Sequence, residues 1–259
     1  MLAPRHHSLS DALAKINKLG VFPDAATRIL EVTQNPAARL HDLERVVASD
    51  PVLSARILQV ANSPLYGVST KIGTLGRAVQ MLGMDGTRGI AFALAVSTVG
   101  SMGGPKAQEV YYHAIACASV VHVAAPVAYG VHGGMLFVTA LVHDLGLQLL
   151  MILEPESEAM LLDKFGHTSL LVKAERVHYG FDHAELVAHH HEPVAKKMRS
   201  RALLRVADDL SDAILDGETA EGIARLAAEH PLSAPLGIPE EKWFEVIERV
   251  PDVMSELTA

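Results

Sequence analysis

The stretch MLFVTALVHDLGLQLLMIL, residues 135–153, constrains the fold more than any other part of this chain. Its length and apolarity approach those of a membrane span. His143 and Asp144 stand at its centre, however, and two ionisable side chains at mid-bilayer would be costly. The reading is therefore a helix buried in a protein core, in which both polar side chains must find internal partners. On either side, long apolar-periodic segments punctuated by Pro and Gly dominate, and alternating runs rich in β-branched and aromatic residues are scarce. Aromatics are only 5% of the chain, which also suits helices better than sheets. The predicted fold class is all-α, a helical N-terminal module packed on a second helical module.

Punctuation predicts where the helices begin and end. Ala26, Ile29, Leu30 and Thr33 give an amphipathic stripe over 23–34 that stops at Asn35-Pro36, and a second helix spans about Leu40 to Ala48. Asp50-Pro51 supplies an N-cap and a proline at the first helical position for a third helix, with Leu53, Ile57, Val60 and Ala61 as its stripe. Asn62-Ser63-Pro64 ends it. Thr74 opens a helix striped by Leu75, Val79 and Leu82 and stopped by Gly83, and another runs from about Asp85 to Val99. The run SMGGP, 101–105, marks the expected boundary between modules 1–103 and 104–259 of one continuous unit.

Composition excludes several classes. With 259 residues, 49% of them hydrophobic, the chain can bury one large core or two modest ones. A net charge of −8 argues against a protein that neutralises nucleic-acid phosphates along a basic face. Lys196, Lys197, Arg199, Arg201 and Arg205 form one basic cluster, read as a solvated helix face. A single cysteine, Cys117 in the run AIACASVV, excludes a disulfide framework and thiolate metal clusters and reads as a buried, inert thiol. The opening MLAPRHHSLSDALAKINKLG has no apolar core of a signal peptide, so a cytoplasmic location is expected.

Histidine is the distinctive residue. Of 14, ten lie between 113 and 191. An imidazole and a carboxylate on adjacent positions of a helix can both reach one metal ion over the helix shoulder, so His143-Asp144 is a candidate ligand pair. The alternative is a hydrogen-bonded cluster that fixes helix packing, with His143 donating to a carboxylate.

The segments SDPVLSARILQVANSPLYGVSTKIGTLGRAVQMLG (49–83), LFVTALVHDLGLQLL (136–150) and GFDHAELV (180–187) resemble the HDOD family, the HD-related output domain of bacterial signalling proteins. The resemblance extends from about Leu13 to Leu257 and is most specific at Asp50-Pro51 and at Asn62 to Gly67. It implies an HD-like helical fold, related to HD-superfamily metal phosphohydrolases such as the HD-GYP cyclic-di-GMP phosphodiesterases. No Gly-Tyr-Pro motif occurs here.

Carried over by position, the superfamily ligand pattern implies a metal set of His113, His143, Asp144 and Asp208, with His190 and His191 of the segment His-His-Glu-Pro as further ligands. The ion would be a divalent transition metal such as Fe, Mn or Zn. Helix phase supports Asp208 separately: around the apolar centre Leu203, Ala207, Leu210 and Ile214 it shares a flank with Leu204, while Asp209 falls on the opposite flank. The chain departs from the family pattern after Asp182-His183-Ala184-Glu185, where a helix-sized segment before the histidine pair is missing.

The resemblance implies a signal-transduction regulator acting through protein contacts, with partners in cyclic-di-GMP or two-component pathways and an HD-like pocket kept for sensing or structure. The alternatives are a metal-dependent phosphohydrolase acting on a nucleotide or cyclic dinucleotide, and a non-catalytic nucleotide sensor.

Overall fold

The computed structural model describes residues 37–62, 70–131, 133–183 and 198–258, together with positions 9, 11, 12, 14, 15, 28, 29, 31, 32, 35 and 185; the side chains of 85, 91–101, 133–135, 138 and 198 are not described. All regular structure among these residues is helical, as the periodicity predicts. The helix expected over 23–34 falls mostly outside the described residues, as do Ser63 to Gly67 of the family-like segment. Among the described residues no helix is long and apolar enough to cross a membrane.

The chain forms two compact units that alternate along the sequence: one contains 1–23, 96–112 and 142–193, the other 24–95, 113–141 and 194–259. Residues 103 and 104 lie in the first unit, at the junction of two helices.

In the second unit, α1 (Leu40–Ala48) packs on α2 (Pro51–Ala61). The Asp50 carboxylate caps α2 by accepting from the N–H groups of Val52 at 2.9 Å and Leu53 at 3.0 Å, with Pro51 opening the helix. Leu53, Ile57, Val60 and Ala61 are buried and join Leu43, Val47, Val79 and Leu82 in one apolar cluster. The α2 stripe is thus the predicted one. α3 (Leu75–Met102) is interrupted at Gly83, whose φ of 68° and ψ of −175° stop one helical run and start the next.

α4 (Gly104–Ala124) follows, and its part in the second unit buries Cys117 within the run 114–121. His122, on the same helix, packs edge-on to Phe137 of α5 (Gly133–Val142), and burial, with Arg249 nearby, lowers its pKa. The rest of the unit is α9 (Met198–Leu215), α10 (Ala220–Glu229), a 3₁₀ turn over Ala234–Leu236 and α11 (Glu240–Thr258). α10 packs on both α9 and α11, and Trp243 of α11 is fully buried.

The first unit holds α6 (Leu145–Leu153), α7 (Pro155–Phe165) and α8 (Ser169–Tyr179), with α7 against both neighbours. α6 is buried continuously from Leu145 to Met151. Here the structure corrects one expectation. The stretch 135–153 is not a continuous helix: α5 ends at Val142, α6 begins at Leu145, and His143-Asp144 form the turn between them. A polar pair inside an apolar helix has only apolar neighbours, whereas a break turns both side chains toward polar partners. α7 and α8 each bury a carboxylate, Glu158 and Glu175, among their apolar residues.

Candidate functional site

Each unit assembles its own cluster of metal-type donors. In the first, Asp144 is almost completely buried at the α5–α6 turn, with φ −105° and ψ 15°. Its Oδ2 lies 3.3 Å from His143 Nε2 and 2.9 Å from His167 Nδ1. His167 comes from the Gly166-His167-Thr168 link before α8, where Gly166 adopts φ 58° and Thr168 caps the helix by accepting from Leu170 N–H. Two imidazoles therefore converge on one buried carboxylate.

In the second unit the centre is His113 of α4, 1% exposed. Its Nδ1 lies 2.9 Å from Asp212 Oδ1 and its Nε2 3.0 Å from Asp208 Oδ1. Asp208 and Asp212 are one turn apart on α9, so their carboxylates bracket one ring. Both ring nitrogens face an acceptor, and both contacts are hydrogen bonds only when each carries a shared proton. Arg205 extends the cluster, donating to Asp208 Oδ2 at 3.2 Å and pairing with Asp209 Oδ1 at 2.7 Å. On the opposite flank Asp209 Oδ2 lies 2.9 Å from His230 Nε2. Since His230 Nδ1 accepts from Leu232 N–H at 3.1 Å, Nε2 is the donor to Asp209.

Of the sequence-predicted ligands, His143 and Asp144 are together in one unit, His113 and Asp208 in the other, and His190 and His191 lie outside the described residues. The separation of Asp208 from Asp209 by flank is as helix phase predicts. Two donors were missed: Asp212, whose i,i+4 relation to Asp208 was a readable signal, and His167, whose approach to Asp144 spans 23 positions and has no local signature. Imidazole and carboxylate are donor types that suit a divalent transition ion.

The segment Asp182-His183-Ala184-Glu185 also acquires a local role. Asp182 N–H donates to Glu185 Oε2 at 3.0 Å and Glu185 N–H donates to Asp182 Oδ1 at 2.8 Å, a reciprocal capping box. Arg176 Nε pairs with the buried Asp182 Oδ2 at 2.6 Å.

The HDOD domain family profile matches residues 19–192. An HDOD domain protein of unknown function from Geobacter sulfurreducens is similar in fold, at 21% identity over 96% of each chain and a TM-score of 0.64. A protein of Shewanella amazonensis described as a candidate phosphohydrolase is 21% identical over 97% of each chain, with a TM-score of 0.71. A second from that organism, described as a candidate metal-dependent phosphohydrolase, is 17% identical over 96% of this chain and 97% of its own, at 0.57. No curated protein matches the sequence. With two thirds of its length matched by one family profile, and a helical fold shared with an HDOD protein along nearly the whole chain, this chain belongs to the HDOD family.

Proposed function

We propose that this chain is a cytoplasmic signal-transduction module of the HDOD type that acts through protein contacts and turns over no substrate. Its partners would be signalling proteins of cyclic-di-GMP or two-component pathways. The observation that carries this reading is the mutual engagement of the donors. Asp144 is hydrogen-bonded by His167, Asp208 by His113 and Arg205, and Asp212 by His113. Clusters satisfied in this way hold helices in register without a substrate. In the test, the chain is loaded in turn with Fe, Mn and Zn and offered cyclic dinucleotides and nucleotides. The expected outcome is no hydrolysis and a defined complex with a signalling protein. Metal-dependent hydrolysis that disappears in His143→Ala and Asp144→Ala overturns the reading.

A second reading, a metal-dependent phosphohydrolase, is favoured by one specific observation: two ligand-type imidazoles, His143 and His167, converge on one buried carboxylate, Asp144. Under this reading the resemblance-derived set His113, His143, Asp144 and Asp208, with His190 and His191, holds the ion. A bound ion would supply Lewis-acid polarisation of water for attack on phosphorus. The chain's own residues would fix the ligand rings, His143 and His167 by Asp144 and His113 by Asp212. Calorimetric titration with cyclic dinucleotides separates both readings from a nucleotide sensor, which would bind ligand without hydrolysing it.

A further inference from the structure

The first unit contains a buried polar group that neither its metal-type donors nor its apolar core explains. Glu175 on α8 is fully buried; both carboxylate oxygens lie 2.8 Å from His183 Nδ1, and Oε2 also accepts the His183 backbone N–H at 2.9 Å. Glu158 on α7, a helix packed against α8, is likewise fully buried, and its carboxyl group faces Glu175 and the Tyr179 hydroxyl without a close hydrogen bond. The hydroxyl of Tyr179, four residues beyond Glu175 on α8, is buried and faces the Glu158 carboxyl group.

Among the described residues the charges that face this group are mostly of one sign. Glu175 and His183 act on Glu158, Asp144 acts on His183, and Glu154 acts on Tyr179. Lys15 borders a small recess with Glu154 and Tyr179 but is itself exposed. Arg176, also on α8, is engaged by Asp182 and Glu185. A second carboxylate ion buried beside Glu175, with no cation to pair with and only the Tyr179 hydroxyl as a donor, would be strongly unfavourable, and a neutral carboxyl group removes most of that cost.

We propose that Glu158, Glu175 and His183 form a proton-operated latch. With Glu158 neutral and His183 cationic, the Glu175 carboxylate fastens His183 to α8, and loss of either proton loosens it. The electrostatics agree with the geometry. Burial raises the Glu158 pKa to about 8, and the negative charge of Glu175 adds to it. For His183 burial acts in the opposite direction, but the hydrogen bond and charge of Glu175, reinforced by Asp144, outweigh it and raise the imidazole to about 9.

Both groups hold protons in the folded chain that the unfolded chain has lost, so stability falls as pH rises. The Glu158 contribution is complete below pH 4.5 and is lost by about pH 8; that of His183 is complete below pH 6.5 and is lost by about pH 9.

The test is thermal unfolding of the full chain between pH 6.5 and about 9. The wild-type midpoint is expected to fall steadily. In Glu158→Gln, which fixes the neutral shape, the fall is roughly halved because one of the two protons no longer contributes. Equal slopes in the two proteins overturn the latch. Infrared spectroscopy of the wild type gives a second readout: the carbonyl stretch of a protonated carboxyl group, present at neutral pH, disappears as pH passes about 8. Its absence at neutral pH overturns the proposal. So does a midpoint at alkaline pH that rises with potassium at constant ionic strength, because the neutralising group is then a bound cation.

Discussion

The side-chain amide of Asn62 pairs with both backbone groups of Ile72, donating to the carbonyl at 3.0 Å and accepting from the N–H at 2.7 Å. The same amide donates to Leu58 C=O at 2.8 Å, so one residue ends α2 and ties down the chain ten positions later. Replacement by alanine leaves both partly buried groups of Ile72 without these bonds. Asn62→Ala is expected to cost about 2 kcal/mol, measured as a lower urea midpoint at unchanged slope. Asn62→Asp keeps the acceptor but sets a negative charge beside two carbonyl oxygens, and is expected to be no better than alanine.

Gly83 combines φ 68° with ψ −175°, a region open essentially to glycine alone, and a Cβ built there meets nothing within 4 Å. The cost of Gly83→Ala is therefore purely one of backbone conformation, about 1–3 kcal/mol. Gly83→Asn distinguishes this backbone from the ordinary left-handed helical one. Asparagine tolerates the latter and gives no rescue here. Equal stability of the asparagine variant and wild type in chemical unfolding would contradict this account.

Asp212 and Asp209 lie on one helix but face different histidines, His113 and His230. If the clusters take up metal, Asp144→Ala and His113→Ala abolish stoichiometric retention of Zn or Mn. Asp212→Ala weakens it by roughly 10–100-fold, the usual effect of removing a carboxylate that orients a ligating imidazole. Asp209→Ala leaves retention unchanged. Elemental analysis after dialysis of the untagged protein reads all four.

Asp182 is 1% exposed and serves both the capping box and Arg176. Asp182→Ala is expected to cost about 2 kcal/mol, more than a lone surface cap. Glu185→Gln keeps an oxygen to accept the Asp182 N–H and should cost no more than about 0.5 kcal/mol. Thermal unfolding of the two variants at neutral pH compares them directly.

The legible parts of this molecule are those where one chemical requirement acts over a few residues. Asp50-Pro51 and the stripe from Leu53 to Ala61 fix α2 because capping and burial are both local. Gly83 announces its break because few other residues can make it. Helical phase puts Asp208 and Asp209 on opposite flanks, where they meet different histidines, and the same phase extended by one turn leads to Asp212. His167 could not be found this way, since its meeting with Asp144 depends on how α7 and α8 return the chain. The turn at His143-Asp144 was misjudged for a related reason. Hydrophobicity reported correctly that the segment is buried, but not that two polar residues would interrupt the helix to gain partners. The Glu158–Glu175 pair was invisible, because each carboxylate sits alone in an unremarkable amphipathic stretch.

Gly103 separates α3 from α4, and a Cβ built on it would fall 2.4 Å from the Cβ of Ala107 and 3.4 Å from Met151 and Ile152. Glycines beside a proline usually suggest a hinge that proteases can cut and genetic engineers can open. This one is a closed joint, so nicking enzymes should spare it. Dividing the gene there would yield no pair of folding fragments, because residues 1–23 and 96–103 would be translated on one chain and 104–112 and 142–193 on the other although they build one unit.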